Sequence, residues 1–138
     1  MIIRFPSSEF TPLIRIDFSD EAAWQNICSE IMDSDILASP MITIINDIKY
    51  ENINPVNLPK FDVDQASHSH IFIVDKECIL NTEHPILCID LAREFLRSFR
   101  FVPSESFEIA GNLGIGNMDF YEFADNVYAI GIFRGFNG

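Results

Sequence analysis

Three aspartates each close a run of apolar, mostly β-branched residues. Asp17 follows Leu13-Ile14-Arg15-Ile16, Asp75 follows His70-Ile71-Phe72-Ile73-Val74, and Asp90 follows Ile86-Leu87-Cys88-Ile89. Ligands of open α/β sheets bind beyond the carboxyl ends of strands. Three carboxylates gathered there would suit Mg²⁺ or Ca²⁺, which take oxygen ligands. The competing reading gives each acid a local task, because short polar side chains cap helices and bond neighbouring backbone amides. An antiparallel turn between the second and third runs would favour it, since the acids would then not share one edge of the sheet. His68 and His70 alternate on an extended segment and so present both imidazoles to one face. With Asp64 they supply ligand types for zinc, but no third and fourth ligand follows at zinc spacing, and hydrogen-bonded histidines are the simpler expectation.

Other chemistry finds less support. Gly111, Gly114 and Gly116 precede a helix start as a phosphate nest would, yet they do not follow a strand as a dinucleotide fingerprint requires. Asp119 occupies the cap where a phosphate would sit, with Glu122 and Asp125 close behind. The glycines are therefore read as a turn between two helices, with Gly114 as the left-handed stop. Cys28, Cys78 and Cys88 form no C-x-x-C pair and have no base beside them, so they read as reduced, small hydrophobes. The sequence contains no G-x-S-x-G, H-E-x-x-H or P-loop.

Charge is the strongest compositional fact. A net charge of −12 over 138 residues opposes nucleic acid, whose binding needs Lys and Arg on phosphates, and opposes anionic membranes. It favours a basic protein partner, with plain solubility as the alternative reading. Glu105, Glu122 and Asp125 are the acids expected to form a binding surface. Arg93, Arg97 and Arg100 are a local cluster of the opposite sign.

The elements that must position these groups are legible by period. Residues 13–18 alternate as a strand, residues 41–45 are a nearly continuous β-branched run expected to be covered on both faces, and residues 70–75 read as the strand central to the sheet. Trp24, Ile27, Cys28 and Ile31 make a core-facing stripe on a helix over residues 20–32. Residues 46–69 carry Asn and Pro turn chemistry and read as a loop-rich crossover, with Ile48, Tyr50 and Ile53 able to extend a strand into it. The ten residues from Lys76 to Pro85 barely allow a parallel crossover. Leu91, Phe95 and Phe99 recur at four-residue spacing and predict two helical turns. A last strand follows over residues 99–102, then a helix over 104–112 and another over 119–126. The final helix has two start signals, the Asp119–Glu122 capping box and the Met118–Phe123 staple. Residues 131–136 finish as a short strand or packed tail. The expected fold is a single α/β domain, with α+β as the variant, built on a four- or five-stranded mixed sheet with three to four helices. Thirteen Phe and 48% hydrophobic residues suffice for its core. No apolar run approaches the ~20 residues of a membrane helix, and no secretory leader is evident, so the cytoplasm is the expected location.

Several stretches, in order, resemble a family of small bacterial proteins classed as a domain of unknown function. They are I-R-I-D-F-S-D-E-A-A-W from Ile14, F-I-V-D from Phe72, E-H-P-I-L-C-I-D-L from Glu83, F-R-F-V-P-S-E from Phe99, N-L-G-I-G-N-M-D-F-Y-E-F-A-D from Asn112 and G-I-F-R-G-F from Gly131. The N-M-D-F-x-E-F core is the sharpest of them. Between Asp90 and Phe99 the family tends towards a Gly/Pro turn, where this chain has A-R-E-F-L-R-S. The resemblance implies no activity, cofactor or catalytic residue. The leading expectation is a non-enzymatic interaction protein, immunity- or antitoxin-like, that inhibits a basic partner. The alternatives are a divalent-metal or small-molecule enzyme built on the aspartates, and a structural subunit of a larger assembly.

Overall fold

A computed structural model of the chain describes residues 10–34, 41–55, 57 and 69–136. Among the described residues six strands form one mixed sheet in the order β2-β1-β3-β4-β5-β6. These are β1 (Thr11–Arg15), β2 (Ile42–Ile45), β3 (His70–Val74), β4 (Ile86–Asp90), β5 (Ser98–Phe101) and β6 (Ile132–Phe133). β1 is parallel to both neighbours, β4 is antiparallel to β3 and β5, and β6 is parallel to β5. The sheet thus exceeds the expected four or five strands, because residues 131–136, expected as a short strand or packed tail, supply the two-residue β6.

Alternation of side chains sorts the sheet into two faces. Leu13, Phe72, Cys88 and Phe99 lie in register across four strands. They belong to the larger core, with Trp24, Ile27 and Ile31 of α1 (Glu21–Asp33), Ile109 of α3 (Ser106–Gly114), and Phe120 and Phe123 of α4 (Phe120–Ala124). The other face carries Ile14, Ile16, Ile45, Ile71, Ile73 and Ile89, packed with Tyr50, Ile53, Leu87, Leu91 and Leu96. Ile48–Tyr50 is one turn of 3-10 helix capped by Asp47 rather than a continuation of β2. Among the described strands β2 is an edge and only half-buried, not covered on both faces as its unbroken apolar run suggested.

The N-cap of α1 is Asp20, whose carboxylate accepts the Ala23 N–H at 3.0 Å. α2 (Lys76–Leu80) is five residues long, too short for a crossover of the dozen or more residues a parallel strand needs. The chain therefore doubles back, and β4 runs antiparallel to β3. Two further expectations are corrected. Residues 91–97 form an irregular hairpin loop instead of two helical turns, with Leu96 at φ +72°. The left-handed residue after α3 is Gly116, at φ +71°, rather than Gly114, which stays inside the helix.

Candidate functional site

The strand directions decide what the three strand-end aspartates can do together. Asp17 and Asp75 stand at the same end of the sheet, after parallel β1 and β3, whereas Asp90 pairs in register with His70, the first residue of β3, at the opposite end. The fold does not bring the three into one cluster, and each holds its own neighbourhood. Asp17 accepts the Ser19 N–H at 3.0 Å. Asp75 caps α2 through the Cys78 N–H and receives the Arg100 fork at 3.0 and 2.7 Å. Asp90, nearly fully buried, accepts the amides of Ala92 and Glu94, each at 2.9 Å. Among the described residues no group of three or more His, Cys, Asp or Glu side chains is arranged to hold a metal ion. His68 and Asp64 lie outside the described residues. His70 is buried, with Nε2 2.7 Å from the Thr11 hydroxyl and Nδ1 2.8 Å from that of Ser69.

At the aspartate end of β1, Arg15 is buried in a polar and aromatic socket. Its guanidinium donates to the Asp17 carbonyl, the Asn46 side chain and Glu21, and lies over the rings of Phe18 and Trp24 at 4.3 and 4.8 Å. All of this is cohesion between β1, β2 and α1.

The cleft lies at the other end. It encloses about 420 Å³ between the start of β3, the β4–β5 loop and the α3–α4 turn, with Ser69, His70, Arg93, Arg97, Asp119 and Tyr121 in its lining. The sequence logic of this region is simple. Asp90 gathers the amides of the β4–β5 loop and so presents Arg93 and Arg97 at the rim. Gly116 turns the chain after α3, and Asp119 starts α4, its N–H donating to the Glu122 carboxylate at 2.7 Å in a capping box. Met118 and Phe123 both pack into the larger core, as the staple spacing predicts. Among the described residues three ion pairs cross or line the cleft. Arg97 bonds Glu94 at 2.7 Å and also bonds Asp125, while Arg93 reaches Asp119 only at 3.7 Å. Those two carboxylates raise the pKa of Arg97, Asp125 more than Glu94, through hydrogen bonds.

The three acids expected to form a partner surface are thus differently employed. Asp125 lines the cleft and is tied to Arg97. Glu122 is folded back on its helix start. Glu105 stands before α3, where a Cβ on Gly135 would lie 3.0 Å from its Oε1. Its carboxyl pKa is raised, first by desolvation and then by Glu108. Burial pushes the thiols of Cys78 and Cys88 far up and that of half-buried Cys28 up as well, and all three cysteines are free. Periodicity gave no warning of Arg93 and Tyr121 as cleft residues, since the cleft exists only once residues 91–97 leave the helix. Among the described residues no helix is long and apolar enough to cross a membrane.

Fold and site together define a small α/β domain with a six-stranded mixed sheet, helices packed on one face, and a charged cleft at the end remote from Asp17 and Asp75. The chain belongs to the family described as a domain of unknown function (DUF6924), whose model matches residues 10–136. No curated protein matches it.

Proposed function

We propose that this is a non-enzymatic interaction protein of the bacterial cytoplasm, whose acidic surface covers a basic protein partner in the manner of an immunity or antitoxin-like inhibitor. The observation that carries the reading is where the positive charge goes. Arg15, Lys49, Arg93, Arg97, Arg100 and Arg134 are each engaged by carboxylates of the same chain. With a net charge of −12, the remaining acids outweigh the basic residues outside these pairs, Lys76 among them, and the field outside is negative. Such a field accelerates encounter with a cationic protein and rejects polyanions. A toxin that acts on nucleic acid is a partner of the required sign. Three free thiols suit a reducing compartment.

The test is recovery of the tagged full chain from its native host, followed by titration of the recovered partner at two ionic strengths. The expected result is a basic partner whose affinity falls steeply between roughly 0.05 and 0.3 M salt, as exposed charges are screened. Recovery of the chain alone, with no salt-sensitive binding to basic proteins, would overturn the proposal.

A further inference from the structure

Resting on that reading, the cleft offers a specific place for the partner to engage. Arg93 is 80% exposed and its partner Asp119 is 45% exposed, and they meet at 3.7 Å. A surface ion pair of this kind contributes little to stability and gives way readily to a better-placed cation. Tyr121, half exposed, lines the same cleft, and a tyrosine ring face attracts a cation lying on it. Leu113, Met118 and Phe120 add apolar lining for the stem of a long side chain. Exposed Phe95 and Ile115 each adjoin lining residues in the chain, between Glu94 and Arg97 and between Leu113 and Gly116. Aromatic residues and methionine are enriched at protein interfaces, and Tyr121, Phe120 and Met118 bring those types into the cleft lining.

We infer that the cleft receives an arginine or lysine side chain of the basic partner, its charge on Asp119 and its stem against Tyr121, displacing Arg93 from the seat. Arg93 is then a placeholder that keeps Asp119 partly neutralised in the free protein. This predicts an asymmetry that a merely structural pair would not show. Loss of Asp119's charge weakens binding, whereas loss of Arg93's charge strengthens it.

The probe is the peptide acetyl-Leu-Arg-Leu-Arg-amide, titrated into isotopically labelled full-length protein and followed by amide chemical shifts, with its citrulline counterpart as the neutral control. Asp119→Asn serves as the weakening variant because asparagine is an equally good N-cap and leaves α4 capped. The expected result is shift changes centred on Arg93, Asp119 and Tyr121 with the arginine peptide only. They should need about tenfold more peptide in Asp119→Asn and severalfold less in Arg93→Gln, a change of order 1.4 kcal/mol per tenfold. Shifts scattered over the acidic surface, or unchanged affinity in both variants, would overturn the cleft assignment. A partner recovered from the host that binds wild type and both variants alike would also overturn it, while leaving the proposed function standing. Absence of any basic partner removes the proposed function itself.

Discussion

Arg100 shows how much cohesion one side chain can carry. Its position on β5 puts it on the same face as Leu87 of β4, with which it is in register. From there the guanidinium reaches past β4 to Asp75, and also bonds the Pro85 carbonyl at 3.0 Å and Glu77 at 2.7 Å. The side chains of Arg100 and Asp75 are 17% and 15% exposed. Removing one partner of a fully buried pair costs about 3–5 kcal/mol; residual solvation lowers the expectation here to about 2 kcal/mol for Arg100→Ala. Arg100→Lys should recover only part of that, because an ammonium cannot reproduce the planar fork. Urea unfolding midpoints at constant slope measure both. Glu105 makes an opposite prediction. Its carboxyl pKa is raised above the ordinary 4.5, chiefly by desolvation, so the folded state holds this proton more tightly than the unfolded chain does. The group therefore favours folding below pH 4.5 and loses that contribution as pH rises through the folded value. Glu105→Gln should raise the melting temperature at pH 7 and bring no gain at pH 4. A gain of equal size at both pH values would show that the charge is not the cause.

At the scale of elements, the sequence carried the fold wherever period and cap agreed. α1 has its stripe, β3 has five consecutive buried residues, and α4 has its capping box, all where spacing placed them, and Asp20 caps α1 at the start of the expected helix. It misled at residues 91–97, where Leu91, Phe95 and Phe99 keep helical spacing but serve different ends. Leu91 joins the smaller core, Phe95 is exposed, and Phe99 lies in β5 within the larger core. What won was local hydrogen bonding. The Asp90 carboxylate takes the Ala92 and Glu94 amides, and the Asp90 backbone pairs with Arg97 and Leu96. A side chain that offers the backbone such an alternative competes directly with a helix. The cleft was illegible for the same reason, since its rim is this loop. Asp90→Ala should thus loosen the hairpin by about 1–3 kcal/mol and speed hydrogen exchange at the Ala92 and Glu94 amides, leaving α1 protected. Uniform acceleration throughout the chain would instead mean that Asp90 supports the whole sheet.

For the whole molecule the question is whether paired charges or excess charge governs stability. The paired charges lie within contact distance, as in Arg134–Glu83 at 2.7 Å, and salt weakens such exposed pairs only modestly because each is worth little to begin with. The excess, −12 in all, acts at longer range, over a screening length of about 30 Å at 0.01 M salt and about 8 Å at 0.15 M. Self-repulsion of this kind opposes the compact state. Raising NaCl from 0.01 to about 0.15 M at pH 7 should therefore raise the melting temperature, by about 4 °C for each kcal/mol of repulsion relieved. Near the sequence pI of about 4.4 the same addition should have little effect, because protonation has already removed the excess. A melting temperature that falls with salt at pH 7 would mean that the ion pairs dominate. If repulsion dominates, a basic partner relieves it on binding, and the complex should melt above the free protein by a margin that shrinks as salt increases.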